Sequence, residues 1–171
     1  MSEREATTLP EHLHRVADAL RDRYPELAIE LKPDNWLEVK VDADQSPAFF
    51  RYIKESPALG FDYLLDVTAV DYIDEGKLQV VYHLARLGTD ARKRGKLVVK
   101  IDLPRDNPRI RTVVDIWPTA NFHEREVYDM FGVIFEGHPD LRRILMREDW
   151  VGHPLRKDYV DQRPKRTRVT R

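Results

Sequence analysis

The sequence predicts an α+β fold in which a mainly antiparallel sheet carries helices packed on it, followed by an extended C-terminal tail. Three observations support this prediction. Apolar residues recur at helical spacing in separate segments, runs of alternating apolar residues follow one another between them, and all periodicity stops after Trp150. Because adjacent strands joined by short turns pair in opposite directions, the sheet is expected to be antiparallel with helices on one side.

The chain is predicted to begin with a helix and two strands. Thr8 and Glu11 have the spacing of a capping box, and apolar residues then recur at helical intervals until Pro25. Alternating apolar residues at 27–31 and at 37–41 indicate two strands. This part therefore predicts one amphipathic helix followed by a pair of short strands.

A turn separates these two strands, and a second helix follows them. Lys32-Pro33-Asp34-Asn35 has the residue types of a turn and separates the two strands. Ser46 followed by Pro47 is a typical helix start, and Pro57 ends the helical segment. Its buried face is expected to consist of Phe49, Phe50 and Ile53.

Three longer strands are predicted in the middle of the chain. Residues 61–72 form an apolar strand candidate, and Asp74-Glu75-Gly76 is a hairpin turn. Residues 78–84 alternate as the returning strand, and residues 97–103 repeat the alternation. The basic loop Arg92-Lys93-Arg94-Gly95 between these two strands is interpreted as a solvated turn.

Two helices are predicted after Asn107-Pro108. Residues 112–117 resemble a short helix stopped by a proline. Asn121 is expected to cap a second helix, with Glu124 at its third position near the free amides and the positive end of the dipole. Gly132 is expected to end that helix.

The chain is expected to form a compact α+β domain over residues 1–150 and an extended basic tail for partner docking over residues 151–171. Its 171 residues are 42% apolar, enough for a substantial core. The net charge of −1 hides an asymmetry, because residues 156–171 contain seven basic and two acidic residues. Such a tail suits nucleic acid, acidic lipid or an acidic partner protein.

Composition excludes several classes of function. The chain has no cysteine, which excludes disulfides, thiolate-bound iron–sulfur clusters and cysteine nucleophiles. No apolar run approaches the ~20 residues that span a bilayer, and the N-terminus lacks the features of a secretory signal, so we expect a cytoplasmic protein that meets the membrane only through partners. No glycine-rich phosphate loop supports NADH or FMN binding here, and no serine-hydrolase elbow is present.

The densest motif is the stretch NFHEREVYDMFGVIFEGHPDLRRIL, residues 121–145. Its carboxylates and histidine suggest acid–base or metal chemistry, but the spacing is poor for both. Glu124 and Glu126 are two residues apart and point in different directions on a helix, and His123 has Val127 rather than a histidine one turn away. We therefore predict no catalytic, cofactor-binding or metal-binding residues in this chain.

A structural role fits the motif better. Arg125 and Asp129 are four residues apart and can pair along a helix, while a Gly-His-Pro reversal can fold Arg142 and Arg143 back towards the acidic residues. Forked guanidinium–carboxylate pairs fix orientation at a partly buried junction, whereas exposed pairs stabilise little. The predicted subunit-interface residues are Glu124, Arg125, Glu126, Asp129, His138, Arg142 and Arg143. Three aromatic residues, Tyr128, Phe131 and Phe135, form either an apolar floor beneath this junction or part of the core.

The order and spacing of these residues closely resemble the signature of the 30 kDa subunit, also called the C subunit, of the bacterial respiratory NADH:quinone oxidoreductase known as complex I. The matching positions run from Glu124-Arg125-Glu126 through Asp129 and His138 to Arg142 and Ile144. The resemblance extends on both sides, from Phe61-Asp62-Tyr63-Leu64 to the segment between Gly152 and Tyr159.

This resemblance implies a non-redox scaffold subunit in the peripheral arm of a proton-translocating enzyme. It also implies docking near the quinone site against subunits D and B, on the cytoplasmic face of the plasma membrane. FMN and the iron–sulfur clusters are then expected in partner subunits, with no cofactor in this chain. The chain resembles the form in which the C and D polypeptides are separate rather than fused.

Two alternatives remain open. The same resemblance covers the equivalent subunit of ferredoxin- or F420H2-dependent dehydrogenases and of membrane-bound hydrogenases, because the electron-input module is built elsewhere. A nucleic-acid-binding module is the alternative from a different class. It would need aromatic residues between the basic residues of the tail, and only Tyr159 is there, so we expect no nucleic-acid partner.

Overall fold

The computed structural model describes residues 11–32, 36–87 and 95–161, which form a five-stranded sheet with helices packed on it. Within these residues the helices are α1 (Glu11–Arg23), α2 (Ser46–Glu55) and α3 (Ala120–Phe131). The strands are β1 (Ile29–Lys32), β2 (Trp36–Lys40), β3 (Tyr63–Tyr72), β4 (Lys77–Arg86), β5 (Gly95–Pro104), β6 (Arg109–Arg111) and β7 (Ile134–Glu136).

The main sheet has the strand order β1-β2-β5-β4-β3 and is mainly antiparallel, as predicted. Three of its four strand pairs are antiparallel, and β2 pairs with β5 in parallel. Parallel pairing needs a long crossover, and the chain from α2 through the β3–β4 hairpin supplies one. The hairpin turns through a short 3₁₀ segment, Ile73–Glu75, and ends at Gly76 in the left-handed conformation.

The core lies between one face of the sheet and the helices. Alternate residues of β4 are fully buried on this face, and α2 contributes Phe50, whose ring centroid lies 4.7 Å from that of Tyr82. The apolar residues that recur at helical intervals in α1 and the predicted buried face of α2 all lie in the core: Leu13, Val16, Ala17, Leu20, Phe49, Phe50 and Ile53. The third helix, α3, packs against the edge strand β3.

The opposite face of the sheet carries a ladder of charges. Lys100 bonds Glu38 at 2.6 Å, Lys40 pairs with Asp102 at 2.7 Å, and Gln79 donates to Asp102 at 2.6 Å. These cross-strand pairs keep the face polar, which explains how the sheet can bear helices on one side only.

Two predictions around α3 are wrong. Residues 112–117 form a turn rather than a helix, and the preceding residues 109–111 form β6, which pairs in parallel with β7. A segment this short between prolines cannot repay the cost of helix nucleation, and its Thr112 amide bonds to the carbonyl of Glu136 instead. Asn121 does not cap α3: the helix begins at Ala120, the capping position is Thr119, and no side chain caps it.

Some predictions lie outside the described residues. These are the Thr8 half of the capping box, the turn at 33–35, the basic loop at 92–94 and residues 162–171 of the tail. Gly132 ends α3 in the left-handed conformation, as predicted. None of the helices in the described ranges is long and apolar enough to cross a membrane.

Candidate functional site

The predicted interface residues lie on and around α3, whose sides face different surroundings. One side faces the core, one is covered by residues 137–161, here called the strap, and one lies against β3, where His123 approaches Asp66 at 3.4 Å. The strap contains no helix or strand. Successive residues of a helix are rotated by about 100°, so neighbouring members of the motif point to different sides.

Asp129 is the anchor of the strap. It is fully buried, and its carboxylate accepts hydrogen bonds from Arg143 Nη1 at 2.6 Å and from the amides of Ile144, Leu145 and Met146 at 3.1, 2.8 and 2.8 Å. Burial alone would raise the pKa of Asp129, but these four donors together hold that pKa below its usual range. A buried ionised carboxylate therefore ties three consecutive residues of the strap to α3.

The same anchor extends to the end of α3. Arg143 Nη2 donates to the carbonyl of Gly152 at 3.0 Å, and His153 Nδ1 lies 3.0 Å from the carbonyl of Asp129. Burial lowers the pKa of His153, so the ring is neutral at pH 7 and donates through Nδ1. The ring packs so closely on Gly132 that a Cβ there would lie 2.6 Å from His153 Nε2.

Arg125 also holds the strap, through backbone carbonyls. Its residue exposure is 9%, and Nε and Nη2 donate to the carbonyls of Arg142 and Arg143 at 3.2 and 3.3 Å. The expected pair between Arg125 and Asp129 is absent among the described residues, where Asp129 pairs with Arg143 instead. The acceptor positions of Asp129 are already occupied by the strap.

His138 and Arg142 also belong to the strap, but their side chains make fewer bonds to α3 than that of Arg143. His138 Nε2 lies 3.1 Å from the Asn121 carbonyl, while the Asp140 amide donates to Nδ1 at 3.0 Å. These partners require a neutral ring protonated on Nε2. Arg142 has a side chain 63% exposed, and among the described residues its ion pair is with Asp140.

Glu124 faces the core and cannot reach another protein. It is fully buried, accepts a hydrogen bond from the Thr112 hydroxyl and binds the Val113 amide at 2.8 Å. Burial raises its pKa to about 7. Burial, together with the nearby charge of Glu124, raises the pKa of Tyr82, whose hydroxyl has no hydrogen-bond partner among the described residues.

Glu126 differs from the other acidic residues of the motif. Its side chain is exposed and makes no hydrogen bond or ion pair with any described residue. Phe122, one turn earlier on the same side, is 63% exposed. The prediction that Glu124 and Glu126 cannot converge on one ion agrees with this geometry, and within the described ranges no group of three or more ligating side chains could hold a metal.

A second anchor, absent from the predicted set, holds the end of the strap. Asp71 is 3% exposed and accepts Arg105 Nε at 2.8 Å, Arg105 Nη2 at 3.0 Å and the Lys157 amide at 2.8 Å. Arg105 also reaches Asp158 at 2.6 Å. The clue in the sequence is that Asp71 continues the buried alternation of β3, where an unpaired carboxylate would be costly.

These contacts describe the first part of the proposed tail. Residues 153–158 lie against the body, where Arg156 donates to the carbonyl of Phe131 at 2.6 Å and the Leu155 amide donates to that of Met130 at 3.1 Å. The boundary between body and tail at residue 150 remains a prediction. These hydrogen bonds and ion pairs can hold the strap in a fixed position, so that its outer surface can bind a partner protein.

Comparison with known proteins gives consistent matches. The model of a family described as "Respiratory-chain NADH dehydrogenase, 30 Kd subunit" matches residues 39–165. The C subunit of the NADH-quinone oxidoreductase of Chloroherpeton thalassium is 52% identical over 122 residues, which cover 71% of this chain and 48%, about half, of that protein. The protein of the same name from Roseiflexus sp. is 40% identical over 147 residues, covering 84% of this chain and 81% of that protein.

Two solved structures are also similar. A chain described as Nqo5 of the trypsin-resistant fragment (1-134) in P63 form has a TM-score of 0.64 and 35% identity, over 76% of this chain and 99% of that one. A chain of the membrane-bound sulfane sulfur reductase, described as an archaeal respiratory membrane complex, has a TM-score of 0.71 and 32% identity. The match covers 88% of this chain and 86% of that one.

Proposed function

Because this chain belongs to the 30 kDa subunit family of the respiratory-chain NADH dehydrogenases, we propose that it is a non-redox scaffold subunit of NADH:quinone oxidoreductase. In this proposal it sits in the peripheral arm of a proton-translocating enzyme and docks near the quinone site against subunits D and B. The chain contributes binding surface to an oxidoreductase and no catalytic residue.

The observation that carries the proposal is the use of the charged motif. Asp129, Arg143 and Arg125 form internal hydrogen bonds that fix the strap over α3. The strap exposes a series of aliphatic side chains: Leu145 (59%), Val151 (74%), Leu155 (55%) and Val160 (75%). Their exposure to water does not stabilise an isolated domain. A rigidly held irregular segment with apolar residues outside suits a protein–protein contact.

The remaining parts of the proposal concern cofactors and location. FMN and the iron–sulfur clusters are assigned to partner subunits, which the absence of cysteine in this chain supports for thiolate-bound clusters. The chain is assigned to the cytoplasmic face of the plasma membrane as a peripheral subunit, with membrane contact only through its partners and with quinone nearby. No nucleic-acid partner is assigned.

Co-purification tests the proposal. A tagged copy of the full chain is expressed in the source cells, membranes are solubilised mildly, and the proteins that elute with it are identified by mass spectrometry. We expect stoichiometric subunits B and D and NADH-dependent quinone reduction in the eluate. The purified chain alone should contain no FMN, iron or zinc and should not oxidise NADH. A tagged chain that leaves the membrane extract alone, or that retains stoichiometric flavin or metal, contradicts the proposal.

A related assembly is the second candidate. Its support is the similarity to a chain of the archaeal sulfane sulfur reductase complex, which shows that this fold also serves a respiratory complex with a different name. The same eluate separates the two candidates. FMN and NADH-oxidising subunits in the eluate identify NADH:quinone oxidoreductase, whereas a ferredoxin- or F420H2-oxidising module or a nickel-binding large subunit identifies the related assembly.

A further inference from the structure

One side of α3 is left uncovered by the described chain, and it carries Phe122 and Glu126. The two residues are four apart, so their side chains are neighbours on the helix surface. The phenyl ring is 63% exposed, and the carboxylate has no hydrogen bond or ion pair with any described residue. The other sides of α3 face the core, the strap and β3, so this narrow side is the part of the motif that is available to a partner.

The uncovered side continues onto the strap. Asp129 lies three residues after Glu126, where the strap covers the helix, and its buried carboxylate accepts hydrogen bonds from the amides of Ile144 and Leu145. Those two side chains are 37% and 59% exposed. Glu126 therefore lies one turn after Phe122 and three residues before the carboxylate that binds the amides of Ile144 and Leu145.

No cation of the described chain is placed to neutralise Glu126. The guanidinium of Arg125 is held by two carbonyls of the strap, and that of Arg143 is held by Asp129 and Gly152. An unpaired carboxylate one turn from an exposed aromatic ring matches a partner surface with a basic side chain set among apolar residues. Arginine fits best, because its planar fork meets a carboxylate through two bonds and its weak hydration suits a sheltered contact.

We propose that Phe122, Glu126 and Leu145 form a docking surface for an adjoining protein of the complex, which places an arginine on Glu126 and apolar residues on Phe122 and Leu145. The inference rests on the proposed function, because it assumes a partner in the parent complex. A lipid surface is a poorer occupant, since the cytoplasmic leaflet is anionic and repels a carboxylate. Apolar groups around the pair exclude water and make it stronger than an exposed pair.

Crosslinking in the intact complex tests which molecule occupies this surface. A photoreactive benzoylphenylalanine replaces Phe122 in the tagged full chain, membranes are irradiated, and the crosslinked peptide is identified from the purified complex. We expect a peptide of another protein of the complex with an arginine next to the crosslinked residue. A crosslink to lipid or to a second copy of this chain overturns the inference, as does the absence of any crosslink in a complex that contains the chain.

Substitutions test the charge directly. Tagged variants compete with untagged wild-type chain for assembly, and we expect Glu126→Gln and Phe122→Ala to bind roughly thirty-fold more weakly, the loss typical of a buried interface anchor. Glu26→Gln is the matched control, because Glu26 is also exposed, also has no ion pair with a described residue, and follows α1 rather than α3. Charge reversal by Glu126→Arg should be rescued by glutamate at the crosslinked arginine.

The outcomes separate this inference from the proposed function. Wild-type assembly of both variants overturns the docking surface while leaving the scaffold function intact. Failure of the wild-type chain itself to co-purify with a respiratory complex overturns the proposed function. Both side chains are exposed, so the unfolding midpoints of the isolated variants should equal that of wild type. A clear drop in midpoint for Glu126→Gln assigns it an internal role and overturns the inference.

Discussion

Replacing Arg143 by alanine should loosen the strap, while the same change at the neighbouring Arg142 should have little effect. The Arg143 side chain is 13% exposed and bonds the fully buried Asp129, whereas the Arg142 side chain is 63% exposed and bonds the half-exposed Asp140. The two substitutions remove the same atoms one residue apart, so Arg142→Ala is a matched control.

The magnitude follows from what Asp129 retains. Removing one partner of a buried ion pair costs ~3–5 kcal/mol. Three strap amides still bind Asp129 in Arg143→Ala, so we expect the low end, about 3 kcal/mol. An exposed pair contributes ~0–1 kcal/mol, which bounds the effect of Arg142→Ala.

Urea unfolding of the isolated chain measures the first effect. With a slope of about 2 kcal/mol per molar urea, the midpoint of Arg143→Ala should fall by about 1.5 M. If the strap opens by itself, native-state exchange of the amides of residues 144–146 should accelerate by about a hundred-fold instead, because about 1.4 kcal/mol corresponds to a factor of ten.

The reasoning fails if Arg143→Ala and Arg142→Ala behave alike in both measurements. A double-mutant cycle with Asp129→Asn adds a direct check, because contacting residues show coupling energies of ~0.5–3 kcal/mol. A coupling near zero would mean that the Asp129–Arg143 pair does not hold the strap in solution.

Three further predictions concern the groups around α3. The pKa of Glu124 is raised from 4.5 to about 7, so between these pH values the folded chain keeps a proton that the unfolded chain releases. The free energy of unfolding should therefore fall by up to about 3 kcal/mol as the pH rises from 4.5 to about 7. Urea titrations at several pH values should show this fall in the wild type and a flatter dependence in Glu124→Gln. Tyr82→Phe should raise the free energy of unfolding by about 1 kcal/mol, because it removes a buried hydroxyl that has no partner in the described structure; a loss of stability would reveal a bonded group at that site. Gly132→Ala should cost about 3 kcal/mol in thermal unfolding, from a φ of 77° and contact with His153, against about 1 kcal/mol for Gly76→Ala, where φ is 63° and nothing lies within 4 Å; equal losses would show that the ring does not constrain this glycine.

The sequence determined the elements whose signal is local. The first helix, the second helix and the long strands β3 to β5 were predicted close to their observed bounds, because burying one face of an element imposes a period on its own residues. The spacing within the charged motif was also sufficient to indicate the family, which the similarity to known proteins confirms. The short strands β6 and β7 were not predicted, because the three residues of each are too few to show the alternation of apolar and polar residues.

Only the tertiary structure decided what each charge does. Glu124, Glu126 and Asp129 lie within six residues, yet the first is buried against a turn, the second is exposed without a described partner, and the third anchors the strap. Arg143 is adjacent to Arg142, but one reaches the buried carboxylate and the other faces solvent. Helical spacing determines the direction in which a side chain leaves its helix. Its partner depends on the path of a segment with no periodicity of its own, and that path is set by packing across the whole domain.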